Sequence, residues 1–383
     1  MLELTFWLLL LLGLYPYLLY PILATLVASL RERKIASDDA YVPRVTVITA
    51  AYNEAAHIEA TVRNKLAQDY PAELLDVIVV SDESSDGTDE IVQRIASESG
   101  RVRLIRQSPR QGKTAALNLA LGEARGEVVV FADANSIYRP DTIRKLVRNF
   151  ADPQVGYVTG RMLYVDPDGS LVGDGCSAYM KYENALRLIE TRIGSVVGVD
   201  GGVDAVRKSL YRPMRPDQLP DFVLPLSVVE SGHRVVYEPE AILTEHSLSS
   251  SSSEYRMRVR VALRAFWALR DMKVLLNPFR SGVFAWQLWS HKVLRYMSFL
   301  PLAAAIVLNW LLLDQGLVYW FGAAGQLLFA AIVVGAASAP RAIGQSFIGR
   351  YCYYFSLLNW ASAVAFVRFA RGQKQVLWQP RVG

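Results

Sequence analysis

The chain has 383 residues and a mass of 42.7 kDa, with 52% hydrophobic and 20% charged residues and a mean hydropathy of +0.19, which excludes a disordered chain and a repeating fibre. Its two cysteines, Cys176 and Cys352, are far apart and lack short-range Cys or His partners, which excludes a disulfide framework and a zinc staple. The net charge of +5, from 41 basic and 36 acidic residues, is too slight an excess to argue for nucleic-acid binding and reads instead as membrane topology.

From Leu4 to Leu30 the chain carries no charge, a run of 27 residues against the ~20 needed to cross a bilayer core. Glu3 precedes this run, and Arg31, Glu32, Arg33 and Lys34 follow it. It lacks the basic start and small-residue cleavage site of a secretory signal, so residues 1–34 read as a retained transmembrane helix. The basic flank places the amino terminus outside and the following residues in the cytoplasm. Residues 35–247 contain no second run of that kind. They alternate short β-rich runs with helical periodicity, and strands are predicted over Arg44–Ala50, Leu75–Ser81, Val102–Arg106, Val128–Ala132 and Val155–Gly160, with helices between the first four. This pattern predicts an α/β domain of Rossmann-like type, with a mostly parallel sheet covered on both faces. Ligands then collect at the carboxyl ends of the strands.

Residues 248–295 read as a linker and interfacial helices. The serine-rich stretch Ser247–Ser253 leads into Arg256, Arg258, Arg260, Arg264 and Arg270 interleaved with apolar residues, the pattern of a helix on a membrane surface. Residues 296–383 form a carboxyl-terminal transmembrane region with uncharged runs at Tyr296–Leu313, Gln315–Pro340 and Tyr351–Val367. At least three spans are expected in all. A fourth, over the last run, would export the basic tail bearing Arg368, Arg371, Lys374 and Arg381. His291, Lys292 and Arg295, just before the first of these runs, are expected to snorkel to lipid headgroups, with the grip of an acceptor phosphate as the second reading.

Four polar clusters fall where strands should end. Tyr52-Asn53-Glu54 follows the first strand and by itself reads as a helix cap. Asp82 follows the apolar strand Val77–Val80 and points into the ligand crevice, while Asp86 suits the start of the next helix. Arg110-Gln111-Gly112-Lys113-Thr114 ends like a phosphate loop but has Gln107 where such a loop needs glycine, so only Lys113, at the start of a helix, keeps an anion-binding reading. Asp133-Ala134-Asn135 closes the fourth strand with two oxygen-bearing side chains that can hold a divalent cation.

Taken in order on one α/β sheet, these clusters resemble the cytoplasmic catalytic domain of membrane-bound family 2 glycosyltransferases of the GT-A type, the group of the cellulose, hyaluronan and poly-N-acetylglucosamine synthases. The resemblance spans about Val45 to Ala241 and continues more loosely through the membrane part. It implies that Tyr52, Glu54 and Asp82 hold the nucleotide, with Lys113, in Gly-Lys-x-x-Ala-Leu-Asn, on the same side. It implies that Asp133 and Asn135 stand in the Asp-x-Asp motif that takes Mg²⁺ or Mn²⁺ and the donor diphosphate. Asn135 departs from that motif by supplying a neutral oxygen, and Glu245 or His246 becomes a candidate further ligand, against the plainer reading of a solvated pair. Asp221, in Pro220-Asp221-Phe222, takes the place of the general base, and Gly201, Gly202 and Arg207 resemble the acceptor-side segment. Polymer-making members carry Gln-Gln/Arg-x-Arg-Trp on the interfacial helix. Here the stretch is Met257-Arg258-Val259-Arg260-Val261, which keeps Arg260 as a diphosphate contact and loses the glutamine and the tryptophan.

The expectation is an inverting, metal-dependent transferase that moves a sugar from a nucleotide-sugar, a UDP-sugar by preference, to a lipid-linked or glycan acceptor. It would work at the cytoplasmic face of a multi-pass inner (plasma) membrane protein, adding one sugar instead of extruding a polymer, and would use no nucleic acid. The alternatives are a processive polysaccharide synthase with a diverged acceptor motif and an inactive glycosyltransferase-like membrane scaffold.

Overall fold

The computed structural model describes residues 1–165, 171–246, 251–339, 343–344 and 346–376. Most of the expected serine link, the side chain of His246, Arg341 and Arg381 lie outside the described residues. Eight strands are present: β1 (Val45–Ala51), β2 (Leu75–Ser81), β3 (Val102–Arg106), β4 (Val128–Asp133), β5 (Ile137–Tyr138), β6 (Val155–Val165), β7 (Val203–Arg207) and β8 (Arg234–His246). They form one sheet in the order β3-β2-β1-β4-β7-β6-β8-β5. The helices of this domain are α2 (Ile58–Leu66), α3 (Thr88–Glu98), α4 (Lys113–Glu123), α5 (Thr142–Val147), α6 (Leu171–Ile193) and α7 (Pro220–Glu230), preceded by α1 (Leu2–Leu30).

The five predicted strands are present within a few residues of their expected bounds. All seven residues of β1 are buried, as befits a central parallel strand of β-branched residues covered on both faces. One core packs Ile48, Ile78 and Phe131 against Leu117 of α4 and Leu224 of α7. The other packs Val47, Val77 and Val130 against Val62, Ile95 and Ile143 of α2, α3 and α5. β1 pairs in parallel with β2 and β4, while β7 runs antiparallel between β4 and β6, so the sheet is mixed. The short strand β7 escapes the sequence pattern because Asp204 interrupts its apolar run, yet that carboxylate is fully buried. The register sets Ala51 beside Ser81, Ala50 beside Asp133 and Val203 beside Ala132, which brings the loops after β1, β2 and β4 and the loop before β7 to one edge.

The membrane-associated part begins with the long helix α8 (Ser251–Asp271). It continues through the short helices α9 (Pro278–Ser281), α10 (Val283–Leu288) and α11 (Leu294–Met297) into α12 (Phe299–Leu311), α13 (Leu317–Ser338) and α14 (Phe347–Ala370). Among the described residues, α1 and α13 are long and apolar enough to cross a bilayer. A third crossing requires that Val283–Met297 and α12, which meet at a bend of 55°, count as one span. α1 exposes Leu4, Leu8, Leu11, Leu18, Ile22 and Leu26, a surface suited to lipid. α14 is not apolar enough to be counted as a span. It packs along α8 instead, with Ala361, Ala365, Phe366 and Phe369 around Phe266. As far as residue 376, the basic tail beyond it returns to α8 and the α/β domain: the Gln373 carbonyl accepts from Trp267 Nε1 of α8 at 2.8 Å, and Lys374 pairs with Asp217.

His291, Lys292 and Arg295 do not snorkel. His291 is buried, 2.7 Å from Glu190 and 3.3 Å from Glu183, and Arg295 also pairs with Glu183. These contacts tie the membrane-associated helices to α6.

Candidate active site

Tyr52-Asn53-Glu54 does not cap a helix, since α2 begins only at Ile58. The segment is pinned to the loop after β2: Asn53 Oδ1 accepts from Ser85 N at 2.9 Å, and Glu54 N donates to Thr88 Oγ1 at 2.9 Å. The Arg110 guanidinium stacks 3.3 Å above the Tyr52 ring. Asp82 is fully buried, and its carboxylate accepts from Gln107 Nε2 at 2.5 Å, Gln111 N at 2.9 Å, Gly112 N at 3.0 Å and Arg110 Nε at 3.4 Å. Asp82 therefore shapes the loop that ends at Lys113 and is not a wall of the cavity beside it, which corrects the expectation that it points into the crevice.

That cavity, of about 300 Å³, is lined by Glu54, Lys113, Asp133, Asn135, Asp221 and Arg260 among others. Lys113, the first residue of α4, lies on its wall between two of these carboxylates, with Nζ 2.7 Å from Asp133 Oδ1 and 3.8 Å from Asp221 Oδ1. Burial opposes the Lys113 charge, but Asp133 and Asp221 outweigh it and hold the ammonium above the usual lysine range. Burial raises the Asp221 carboxyl above the usual aspartate range, against the pull of Lys113 and Arg264. The residues nominated for the metal motif and for the base thus meet across one ammonium group.

Gly201 and Gly202 abut this cluster from the loop before β7, and their bare α-carbons make room for carboxylates. A Cβ on Gly201 would lie 2.6 Å from Asp221 Cγ, and one on Gly202 would lie 3.1 Å from Asp133 Oδ2. Arg207 is a correction. Because β7 runs antiparallel to β4, Arg207 pairs with Val128 at the strand's start, about 17 Å along the ladder from the site edge at ~3.4 Å per residue. Its guanidinium holds the carbonyls of Val155 at 2.8 Å and Asp152 at 2.9 Å. The acceptor-side reading of Arg207 does not survive this placement. Glu245, expected to be solvated if it is no ligand, is buried and receives a 3.1 Å bond from Asn135 Nδ2.

Residues 46–197 match the family model described as glycosyl transferase family 2. Over these residues the chain is similar to family 2 glycosyltransferases. It is 28% identical over 242 residues to the poly-β-1,6-N-acetyl-D-glucosamine synthase of Staphylococcus aureus (strain COL), covering 62% of this chain and 57% of that relative's length. It is 23% identical over 290 residues to the synthase of the same name from Staphylococcus epidermidis, covering 72% of this chain and 70% of the relative. Among solved structures it resembles the mannosyltransferase PcManGT from Pyrobaculum calidifontis, in complex with GDP-Man and Mn²⁺, at a TM-score of 0.76 and 25% identity over 97% of this chain and all of that one. The glycosyltransferase fold is thus the expected GT-A arrangement joined to membrane-associated helices.

The oxygen donors of Asp133, Asn135 and Glu245 fit Mg²⁺ or Mn²⁺ better than a softer metal. Among the described residues no three acidic, histidine or cysteine side chains converge as a closed cation cage. An oxygen-preferring cation that completes its shell with substrate phosphates and water suits such a partial set. Among the charged cavity residues that sequence reasoning left without a site role are Glu183, Arg187 and Asp200, which carry no motif, and Arg264, which looked like a membrane-facing arginine. The signal that could have found Arg264 is its spacing of one helical turn from Arg260.

Proposed function

We propose that the protein transfers a single sugar, with inversion, from a nucleotide-sugar to a lipid-linked or glycan acceptor at the cytoplasmic membrane face. The observation that carries this reading is the meeting of Asp133 and Asp221 across Lys113 on the wall of one cavity. The acceptor hydroxyl oxygen attacks the anomeric carbon while Asp221 accepts its proton, and the bond from that carbon to the diphosphate breaks on the opposite side. Direct displacement by one base inverts the anomeric centre. Arg260 lies on the same wall and is suited to the charge that develops on the leaving nucleoside diphosphate. A bound Mg²⁺ or Mn²⁺, held by Asp133 and Asn135 with Glu245 behind Asn135, would supply Lewis-acid stabilisation of that diphosphate. Glu54 lines the nucleotide side, and Tyr52 and Asp82 fix the two loops that frame it.

The UDP preference comes from the resemblance to the polymer synthases, whereas the solved mannosyltransferase was captured with GDP-Man. Single-sugar addition is supported by Met257 and Val261, which line the cavity where polymer-making members place glutamine and tryptophan. The names of the staphylococcal relatives favour the second reading, a processive synthase. The test is the purified full chain given UDP- and GDP-sugars with Mg²⁺ or Mn²⁺, read by diphosphate release and product size. Release that is lost in Asp133→Ala and Asp221→Ala supports the transferase. High-mass product favours the synthase, and release unaffected by either substitution defeats the mechanism.

A further inference from the structure

Arg264 carries a role that its sequence setting conceals. It stands one helical turn beyond Arg260 on α8, and both residues line the cavity that Asp221 also lines. Two like charges at this spacing repel each other unless an anion lies between them. The Nη2 group of Arg264 donates to the Gln218 carbonyl and, at 3.4 Å, to Thr114 Oγ1, while Thr114 Oγ1 itself donates to the Gln218 carbonyl at 2.9 Å. Its Nε is buried with no hydrogen-bond partner among the described residues. Burial first, and then Arg260, push the guanidinium down to about 10, and Asp221 and Asp217 offset this only in part. A half-buried guanidinium in this condition lacks part of the negative charge that its surroundings were built to hold.

Resting on the transferase reading above, we infer that Arg264 is a second guanidinium ligand of the leaving nucleoside diphosphate, acting beside Arg260. When the anomeric carbon–oxygen bond breaks, its electron pair goes to the diphosphate oxygen, and the added negative charge faces both arginines. The tie from Arg264 to Gln218, three residues before Asp221, also joins diphosphate binding to the segment that carries the base. Lipid headgroups are the competing partner for a basic residue on an interfacial helix, but Arg264 turns toward α4 and the Gln218 segment, whereas the exposed Arg270 on the same helix does not.

The experiment is calorimetric titration of UDP and of GDP, each with Mn²⁺, into the full detergent-solubilised chain. Arg264→Met is expected to weaken diphosphate binding by about tenfold to a hundredfold, the range for loss of a charge-assisted bond. Arg264→Lys, which keeps charge but not the fork, should fall between Arg264→Met and wild type, and Arg270→Met should match wild type. Binding by Arg264→Met as tight as wild type overturns the inference. Should that variant fail to fold, Arg264→Lys with wild-type thermal unfolding and undiminished affinity overturns it equally. A wild-type chain that binds neither diphosphate removes the transferase reading itself, an outcome seen before any variant is compared.

Discussion

Gly201 offers a clean test of whether the position of Asp221 governs turnover. The glycine holds φ at +88°, and an added Cβ would lie 2.6 Å from Asp221 Cγ and 3.1 Å from Asp221 Cβ. Gly232 holds φ at +87° with nothing within 4 Å of the same added atom, so it shares the backbone strain without the neighbour. Alanine at either position costs about 1–2 kcal/mol for the left-handed backbone. At Gly201 the contact must also open toward the ~3.5–4.0 Å that carbon atoms prefer, which moves Asp221 by about 1 Å. Because the Asp221 Cβ is crowded too, a side-chain rotation alone does not relieve the clash. A displacement of that size at a reacting group lowers turnover by ~100-fold. The assay is the initial rate of nucleoside diphosphate release at saturating donor, with thermal unfolding measured on the same samples. Gly201→Ala and Gly232→Ala are expected to lose similar stability, and only Gly201→Ala to lose turnover by the larger factor. Equal turnover in the two variants would refute the claim that Asp221 must stand where Gly201 allows it.

Arg207→Ala removes bonds to the carbonyls of Val155, Phe150 and Asp152, and should lower stability by about 1–3 kcal/mol in thermal unfolding while leaving the acceptor KM unchanged. A raised acceptor KM at unaltered stability would return Arg207 to the acceptor site. With Asp221 raised by burial, kcat/KM should fall as pH drops while still above the usual aspartate range near ~3.9, because the base works only after losing its proton. An acid limb at the ordinary value, in a full pH–rate profile, contradicts this. Asp204 is pushed up to about 7, by burial first. The folded state therefore holds this proton more tightly than the unfolded one, so stability is greatest below ~4 and declines as pH rises toward 7. Asp204→Asn keeps the acceptor for Tyr157 and the Gly201 amide, at 2.9 Å each, and should flatten that decline in unfolding scans between pH 5 and 8. An unchanged slope excludes Asp204 as its source.

β1 and β4, at the centre of the parallel half of the sheet, were legible because each is a short run rich in β-branched residues and covered on both faces, a local pattern that needs no knowledge of its neighbours. β7 was not legible, since a buried aspartate inside a five-residue strand is tolerated through partners such as Tyr157 and Gly201, contacts that exist after folding. At α14 the basic tail was the legible signal against a further span: Phe366 and Phe369 pack on Phe266 of α8, and Gln373 and Lys374 contact Trp267 and Asp217.

The site shows the same division between what a residue is and what it touches. Asp133 could be nominated from its place at a strand end and Asp221 from the family resemblance, but their distance could not, because Lys113 joins loops from separate parts of the chain. Asp82 could be seen as a carboxylate at a strand end and Arg207 was nominated from the resemblance, yet Asp82 is consumed by a loop and Arg207 lies at the other end of the β4–β7 ladder from the site. Gly201 and Gly202, nominated by resemblance to the acceptor-side segment, make room for the two carboxylates. The arginines of α8 carry this furthest. A helix placed between a protein core and a second helix has no face that composition alone marks as catalytic, so Arg264 and Arg270 look alike in sequence. Their difference is set by the third dimension: Arg264 meets the start of α4 and the segment before Asp221, and Arg270 meets Trp267 and solvent.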